Sequence, residues 1–149
     1  MKRILAQYML IFGSIIAINS SLSAQNIVGS WKRTASIIEN TNGTRTDLQK
    51  NMLQAFPCAA DIKYVFETGG RHYMILPKGC EAIPNSDAKW SQNGSTLTTS
   101  QKVGNQTITS TYEISVSGNT MTMTHTYTEA EKAKGSKDTK RIILNHQRL

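Results

Sequence analysis

The stretch Asn26-Ile27-Val28-Gly29-Ser30-Trp31-Lys32-Arg33 opens the part of the chain in which a folded domain is predicted. It begins the first strand candidate, residues 27–38, where apolar residues flank Trp31. A Gly-x-Trp triplet alone is weak evidence for any particular fold, because chance matches in a chain of this length are common. It gains weight from the residues that follow, where apolar and polar side chains alternate with the period of two that is typical of β-strands.

An export signal precedes this stretch. Met1-Lys2-Arg3 is a short basic start, residues 4–18 are largely apolar and uncharged, and residues 19–24 are small and polar. This is the order of regions in a secretory signal peptide, residues 1–24, and we expect cleavage after Ala24. The apolar run is shorter than the roughly 20 residues of a spanning helix, although an uncleaved anchor is the alternative. The mature protein is expected to be exported, either to the periplasm or to the outside, without a stable membrane span.

The mature chain, residues 25–149, suffices for one domain with a real core. Seventeen Lys and Arg against ten Asp and Glu give the whole chain a net charge of +7, and loss of Lys2 and Arg3 lowers it to +5. The basic residues are scattered except in 132–141, where acidic residues are interspersed nearby. A nucleic-acid surface needs clustered basic residues with interleaved aromatics. We therefore expect no binding of nucleic acid. We also expect a monomer.

Eight strands and one short helix can be placed along the mature chain. The strands are predicted at residues 27–38, 61–68, 71–76, 87–92, 95–100, 107–116, 120–128 and 139–147. The helix is predicted at residues 46–56, where apolar positions recur with helical spacing. Thr46 or Asp47 can cap it and Pro57 stops it. Residues 129–138 are predicted to form a charged loop.

Short turns such as Gly69-Gly70 and Asn93-Gly94 join most of these strands, so that neighbours in sequence are antiparallel. Eight strands in up-and-down order can close on themselves and thereby lose their unpaired edges. The sequence predicts an all-β fold, an eight-stranded antiparallel up-and-down β-barrel with one short helix after the first strand. The alternative is a flattened sandwich of two four-stranded sheets.

Cys58 and Cys80 are the only cysteines. In a hairpin centred on Gly69-Gly70, facing residues have numbers that sum to about 139, and these two sum to 138, so they face each other with one residue of slip. Export would place them in an oxidising compartment, where such a pair tends to bridge. We predict a disulfide. Two free thiols are one alternative, and a metal site is another, disfavoured because no second Cys/His pair has ligand spacing.

The pattern resembles that of lipocalins and of the shorter secreted bacterial lipocalin-like domains. Gly29-x-Trp31 resembles the start of their first strand. The resemblance extends over nearly the whole mature chain through the spacing of Cys58, Asp61, Tyr64-Val65-Phe66, Cys80 and Trp90. It implies a lipocalin-like barrel whose closed end is plugged by the Trp, with the Gly allowing the backbone to bend over it.

The resemblance also implies that a basic residue near the C-terminus stacks on Trp31. Arg148 matches this position, and Arg141 is the rival. The second and third lipocalin motifs are not recognisable, the barrel is smaller than a full lipocalin, and a long C-terminal helix is not predicted. The resemblance therefore supports the class of barrel more strongly than any particular ligand.

An eight-stranded barrel is either filled by side chains or holds one small ligand. The predicted strands turn aromatic, apolar and thioether side chains inward, with Tyr73 and Ile75 inward on the strand 71–76, and this lining suits an apolar or amphipathic molecule. The candidate ligand-binding residues are Tyr64, Phe66, Tyr73, Trp90, Tyr112, Met121, Met123, His125 and Tyr127. Ordinary core packing is the alternative for each of them.

His125 is the one ionisable side chain in the inward row of the strand 120–128. It is either a ligand contact or a histidine at the barrel mouth paired with a tyrosine. Enzyme motifs are absent from the sequence, which has no Gly-x-Ser-x-Gly, no His-Glu-x-x-His and no phosphate loop. We predict an exported, non-enzymatic protein without a cofactor or metal that binds a small apolar or amphipathic ligand inside the barrel. The alternatives are a filled barrel that contacts a macromolecule through its loops and an enzyme at the barrel mouth.

Overall fold

Nine strands and two short α-helices make up the described part of the chain, residues 26–84 and 87–149 of a computed structural model; the predicted signal peptide lies outside the described residues. The strands are β1 (Gly29–Asn40), β2 (Arg45–Asp47), β3 (Lys63–Phe66), β4 (Arg71–Ile75), β5 (Asp87–Asn93), β6 (Thr96–Val103), β7 (Gln106–Ser117), β8 (Thr120–Thr126) and β9 (Thr139–Arg148). The helices are α1 (Leu48–Ala55) and α2 (Glu129–Ala133), and a 3₁₀ helix covers Pro57–Asp61.

The sheet closes into a barrel of eight antiparallel strands, in the order β1-β3-β4-β5-β6-β7-β8-β9 and back to β1. Closure is made by β1 and β9, which are paired from Trp31 opposite Arg148 to Asn40 opposite Thr139. The register shifts twice, between Arg33 and Ala35 and between Glu39 and Asn40. The short strand β2 pairs only with the far end of β1. The predicted eight-stranded up-and-down barrel is confirmed, and the flattened sandwich is excluded.

Three hairpins turn through two residues, of which the first is Gly94, Gly104 or Gly118. These glycines have φ values of 59°, 60° and 57°. A positive φ at the first position is the requirement of the type II′ turn, whose twist matches that of antiparallel strands. The turns at Gly94 and Gly118 lie at the lower end of the barrel, where β1 begins, and the turn at Gly104 lies at the upper end.

The β3–β4 hairpin is one residue out of the predicted register. Its turn closes with a hydrogen bond from the Glu67 N–H to the Arg71 carbonyl oxygen, so that Phe66 faces His72 and Tyr64 faces Met74. The loop therefore holds three residues rather than the two of a Gly69-Gly70 turn. A shift of one residue moves every side chain of a strand to the other face.

The predicted inward orientation of Tyr73 and Ile75 is consequently wrong. Tyr73 lies on the outer face, where its hydroxyl donates to Glu67 Oε1 at 2.9 Å and the guanidinium of Arg71 lies over its ring. Ile75 is 47% exposed. His72 and Met74 take the inward positions of β4.

Cys58 and Cys80 form the predicted disulfide, with their Cα atoms 5.8 Å apart. It ties the 3₁₀ helix before β3 to the loop after β4, at the open end of this hairpin. Both cysteines of the chain are bridged, which excludes the free-thiol and metal-ligand alternatives.

The helix α1 begins where Asp47 accepts hydrogen bonds from the N–H groups of Gln49 and Lys50, and it ends before Pro57. Two elements were not predicted. The strand β2 occupies the beginning of the predicted helix. The helix α2 occupies the first half of the predicted charged loop and starts at a capping box formed by Thr128 and Glu131.

The core fills the lower half of the barrel. Its largest fully buried side chains include Trp31, Phe66, Leu97 and Met121. Among the described residues, no helix is long and apolar enough to cross a membrane.

Candidate ligand-binding site

The lower end of the barrel is closed by Trp31, which is 0% exposed and donates its indole N–H to the Ile27 carbonyl oxygen at 2.8 Å. The Arg148 guanidinium carbon lies 4.2 Å from the centre of the Trp31 ring, and its nitrogens donate to the main-chain oxygens of Val28 and Asn26. A Cβ at Gly29 would lie 2.9 Å from an Arg148 nitrogen. These groups form a structural plug.

Arg141, the other residue predicted to stack on Trp31, instead pairs with Glu39. One of its nitrogens donates to Glu39 Oε2 at 2.9 Å, and Arg45 and Lys140 lie within ion-pair distance of the same carboxylate. The pKa of Glu39 is lowered, mainly by its hydrogen bond to Arg141. This cluster ties the ends of β1, β2 and β9 together.

Arg33 lies inside the barrel, two residues after Trp31 on the same face of β1. Its guanidinium carbon is 4.2 Å from the centre of the Tyr64 ring, and its Nε donates to His146 Nε2 at 3.4 Å. Within residues 26–84 and 87–149, no carboxylate is within ion-pair distance of Arg33, and its two terminal nitrogens have no hydrogen-bond partner. Burial lowers the pKa of Arg33. The interior therefore contains a cation without a counter-ion.

His146 is 2% exposed and faces Arg33 across the β1–β9 pair. Burial, reinforced by the charge of Arg33, lowers the pKa of His146 to about 3. The ring is neutral at ordinary pH, which is why Nε2 can accept a hydrogen bond from Arg33. The edge of the ring also packs against Tyr64, with ring centres 5.4 Å apart.

His72 is the second histidine of the interior. It stacks on Phe66 with ring centres 4.1 Å apart, and its Nδ1 lies 3.0 Å from the Val65 carbonyl oxygen. Burial first, and the charge of Arg33 further, lower the pKa of His72. Because a carbonyl oxygen only accepts, Nδ1 carries the proton of the neutral ring and Nε2 remains an acceptor.

A cavity of about 180 Å³ lies in the upper half of the barrel interior. It exceeds the ~150 Å³ at which an engineered apolar cavity binds benzene, but it is below the ~300–1,000 Å³ of drug-sized pockets. Inward side chains of β4, β5, β6 and β7 line it, namely His72, Ala88, Thr99, Gln101, Ile108, Ser110 and Tyr112. The lining is mixed, with apolar side chains beside hydroxyl, amide and imidazole groups.

An open groove of about 730 Å³ adjoins the cavity, and the two share Ala88 and Gln101. Arg71, Lys89 and Lys102 contribute basic side chains to the groove. The groove lies over the seam between β4 and β5. Within residues 26–84 and 87–149, this ladder pairs residues 71–73 with 87–89, and the Trp90 N–H also donates to the Gly70 carbonyl oxygen. It is the shortest ladder of the barrel in the described part of the chain.

His125 lies at the barrel mouth. Its ring packs between Tyr112 and Tyr127, Nδ1 lies 2.7 Å from the Thr111 carbonyl oxygen, and Nε2 lies 3.1 Å from Glu131 Oε1. Since Glu131 also completes the capping box of α2, His125 connects that helix to β8. Both ring nitrogens of His125 are therefore used in contacts within the protein.

The structure brings few of the nine predicted ligand residues to the cavity. Tyr112 lines it, while Tyr64 and Phe66 adjoin it through Arg33 and His72. The other residues lie in the packed core, at the mouth or on the outer face, and these are Met121, Met123, Trp90, His125, Tyr127 and Tyr73.

Sequence reasoning missed the polar residues of the interior. Arg33 could have been found by extending the alternation of β1 from Trp31, because residues two apart share a face. Thr99, Gln101 and Ser110 follow by the same argument from Leu97 and Tyr112. His72 could not have been found without the length of the β3–β4 loop.

Among the described residues, no three His, Cys, Asp or Glu side chains gather as metal ligands. No curated protein and no solved structure matches the chain. A family model described as a lipocalin-like domain matches residues 27–123, which is more than half of the chain. The chain belongs to the lipocalin-like domain family.

Proposed function

We propose that this protein is an exported, non-catalytic carrier that binds one small amphipathic molecule in the upper half of the barrel. The observation that carries the proposal is the cavity of about 180 Å³ within the wall, lined by both apolar and polar side chains. Ile108 and Ala88 can contact an apolar part, and His72, Gln101 and Ser110 can hydrogen-bond a polar part. Family membership supports ligand binding in general.

The position of the site differs from the one suggested by the alternating residues of β8. Met121 is 0% exposed and Met123 is 5% exposed, and both pack in the lower core. A ligand that lay against them would have to displace this packing. The proposed site therefore lies higher, between His72 on β4 and Tyr112 on β7.

Export is part of the proposal, since the disulfide between Cys58 and Cys80 suits an oxidising compartment. The signal pattern of residues 1–24 supports it further. N-terminal sequencing of protein recovered from outside the cytoplasm is expected to begin at Gln25. A mature protein that still begins at Met1 would contradict this part of the proposal.

The carrier function is tested by native mass spectrometry of protein purified from its own host, which should show a bound small molecule. In Ser110→Phe, a large ring fills the cavity, and we expect the bound species to disappear while the protein stays folded. The control is Thr109→Phe, on the neighbouring exposed position of the outer face, where binding should persist.

A second function is favoured by the solid packing of the lower half. A filled barrel would act as a scaffold and contact a macromolecule through its loops. If the wild type carries no small molecule and Ser110→Phe behaves as Thr109→Phe does, the carrier function fails and the scaffold replaces it.

A further inference from the structure

Arg33 is a cation placed among the aromatic rings and histidines of the barrel interior. The face of Tyr64 lies 4.2 Å from it, and its only hydrogen bond within the described residues is the long one to His146. The neighbouring histidines do not supply negative charge. Among the described residues, no carboxylate lies within ion-pair distance of Arg33, since every ion pair there joins other side chains.

The free part of Arg33 has the geometry of an anion site. Its Nε is used by His146, which leaves the two terminal nitrogens side by side. A planar guanidinium matches the two oxygens of a carboxylate with parallel hydrogen bonds. Arg33 is only partly buried. Its two terminal nitrogens lack a partner among the described residues, and neither of them is fully enclosed by protein atoms. Accessible space therefore reaches these nitrogens.

Arg33 lies beside the wall of the cavity. It packs on Tyr64, and Phe66, the next inward residue of β3, stacks on His72, which lines the cavity. The positive charge of Arg33 contributes to the lowered pKa of His72, behind the larger effect of burial. It also opposes the rise that burial causes in the pKa of Tyr112. Both side chains line the cavity, and so a ligand there lies within the field of the guanidinium.

The groove that adjoins the cavity also carries a net positive charge, as Arg33 does. Of the three basic residues in the adjoining groove, Arg71 is paired with Asp87, while Lys89 and Lys102 have no ion-pair partner among the described residues. Asp87 also lines the groove, which therefore owes its net positive charge to Lys89 and Lys102. An excess of one sign of charge in a cleft raises the local concentration of ligands of the opposite sign.

We propose that the ligand is a small amphipathic carboxylate whose anionic group is bound by Arg33 inside the barrel, a proposal that rests on the carrier function above. The carboxylate accepts hydrogen bonds from the two terminal nitrogens of Arg33. The apolar part lies in the cavity against Ile108 and Ala88. Tyr64 and His146 hold the guanidinium in place from its other sides.

The test compares two eight-carbon compounds of the same shape, octanoate and its neutral carboxamide, octanamide. Their dissociation constants are measured at neutral pH by NMR titration of the oxidised mature protein, which also reports whether each variant is folded. The wild type should bind octanoate more tightly than octanamide by about tenfold or more, because only the carboxylate forms charge-assisted bonds with Arg33.

The decisive variant is Arg33→Met, which keeps a long side chain and removes the charge. It should lower the affinity for octanoate to the level of octanamide and change the affinity for octanamide less than about twofold. Lys63→Met is the matched control, since it removes one charge from the exposed face of β3 and should leave both affinities unchanged. Arg33→Lys should retain part of the preference for octanoate.

Equal binding of both compounds by the wild type overturns the proposal and leaves the carrier function standing. A preference for octanoate that survives in Arg33→Met also overturns it. If neither compound binds, the carboxylate site fails, while native mass spectrometry of the wild type decides the carrier function separately. The comparison within the wild type decides the question even if Arg33→Met does not fold.

Discussion

At the scale of single residues, the stability of the lower end depends on Trp31. Trp31→Ala is expected to lower the free energy of unfolding by about 3–5 kcal/mol, because it empties a fully buried position that neighbouring strands cannot collapse into. Urea unfolding of purified protein measures the loss. A change below about 1 kcal/mol would mean that Trp31 does not plug the barrel.

Arg148→Ala should be milder, at about 0.5–2 kcal/mol, since it removes a cation–π contact and two hydrogen bonds near the surface. Arg148→Lys is the control, because a lysine keeps a cation close to the Trp31 ring but lacks the guanidinium whose nitrogens donate to Val28 and Asn26. If urea unfolding shows the same loss in Arg148→Ala and Arg148→Lys, the cation over the ring contributes nothing.

His146 should make stability depend on pH. Its pKa is about 3 in the folded protein and about 6.5 when unfolded, so the unfolded chain binds more protons between these values. Its contribution is complete above about pH 6.5 and is lost as the pH falls towards 3, at up to roughly 1.4 kcal/mol per pH unit.

His146→Gln keeps a hydrogen-bond acceptor for Arg33 and removes the titration. Urea unfolding at a series of pH values should show a shallower loss of stability on acidification in this variant than in the wild type. Parallel curves would mean that the ring is not buried in its neutral form.

The interior polar residues also show what the sequence could predict at this scale. Tyr112 is predicted to point inward from the alternation of its strand, and Trp31 is predicted to plug the barrel from the resemblance to lipocalins. Alternation along these two strands includes Arg33 and Ser110, but a charged or small polar residue on an inward face is atypical of a barrel core. The sequence therefore predicts that Met121 and Met123 line a ligand site. In the structure, both side chains are buried in the core cluster.

At the scale of elements, the disulfide secures the β3–β4 hairpin. Cys58 and Cys80 are separated by 22 residues, and their bridge restricts the unfolded chain more than the folded one. Reduction should lower the free energy of unfolding by about 2–5 kcal/mol. The double variant Cys58→Ser/Cys80→Ser should have the stability of the reduced wild type, and addition of a reductant should not affect it.

The elements themselves were predictable to different degrees. The strands β7 and β8 follow from strict alternation, and the turn at Gly118 from its chemistry. Which side chains of β4 point inward was not predictable. The turn after Phe66 contains two adjacent glycines, and it permits loops of two or three residues. The helix α2 was missed although Thr128 and Glu131 form a capping box, since five charged and small residues provide little apolar periodicity.

At the scale of the whole molecule, the barrel wall is uneven. The strands β1 and β9 are paired along almost their full lengths. Among the described residues, the ladder between β4 and β5 covers only residues 71–73 and 87–89, with one further hydrogen bond from the Trp90 N–H to the Gly70 carbonyl oxygen. Local opening is easiest where few backbone hydrogen bonds must break. Because the basic groove lies over this seam and adjoins the cavity, we expect a ligand to enter there.

Amide hydrogen exchange tests this expectation on the intact protein. The paired amides of β4 and β5 should exchange faster than those of β1 and β9 by on the order of tenfold or more, since they open without unfolding of the remaining barrel. Saturating octanoate should slow exchange at the seam and at Ser110 more than at Lys63, which lies on the far side of the hairpin. If the seam is as protected as the β1–β9 pair, opening requires the whole barrel to unfold. The ligand would then have to enter through the upper mouth, past His125 and α2.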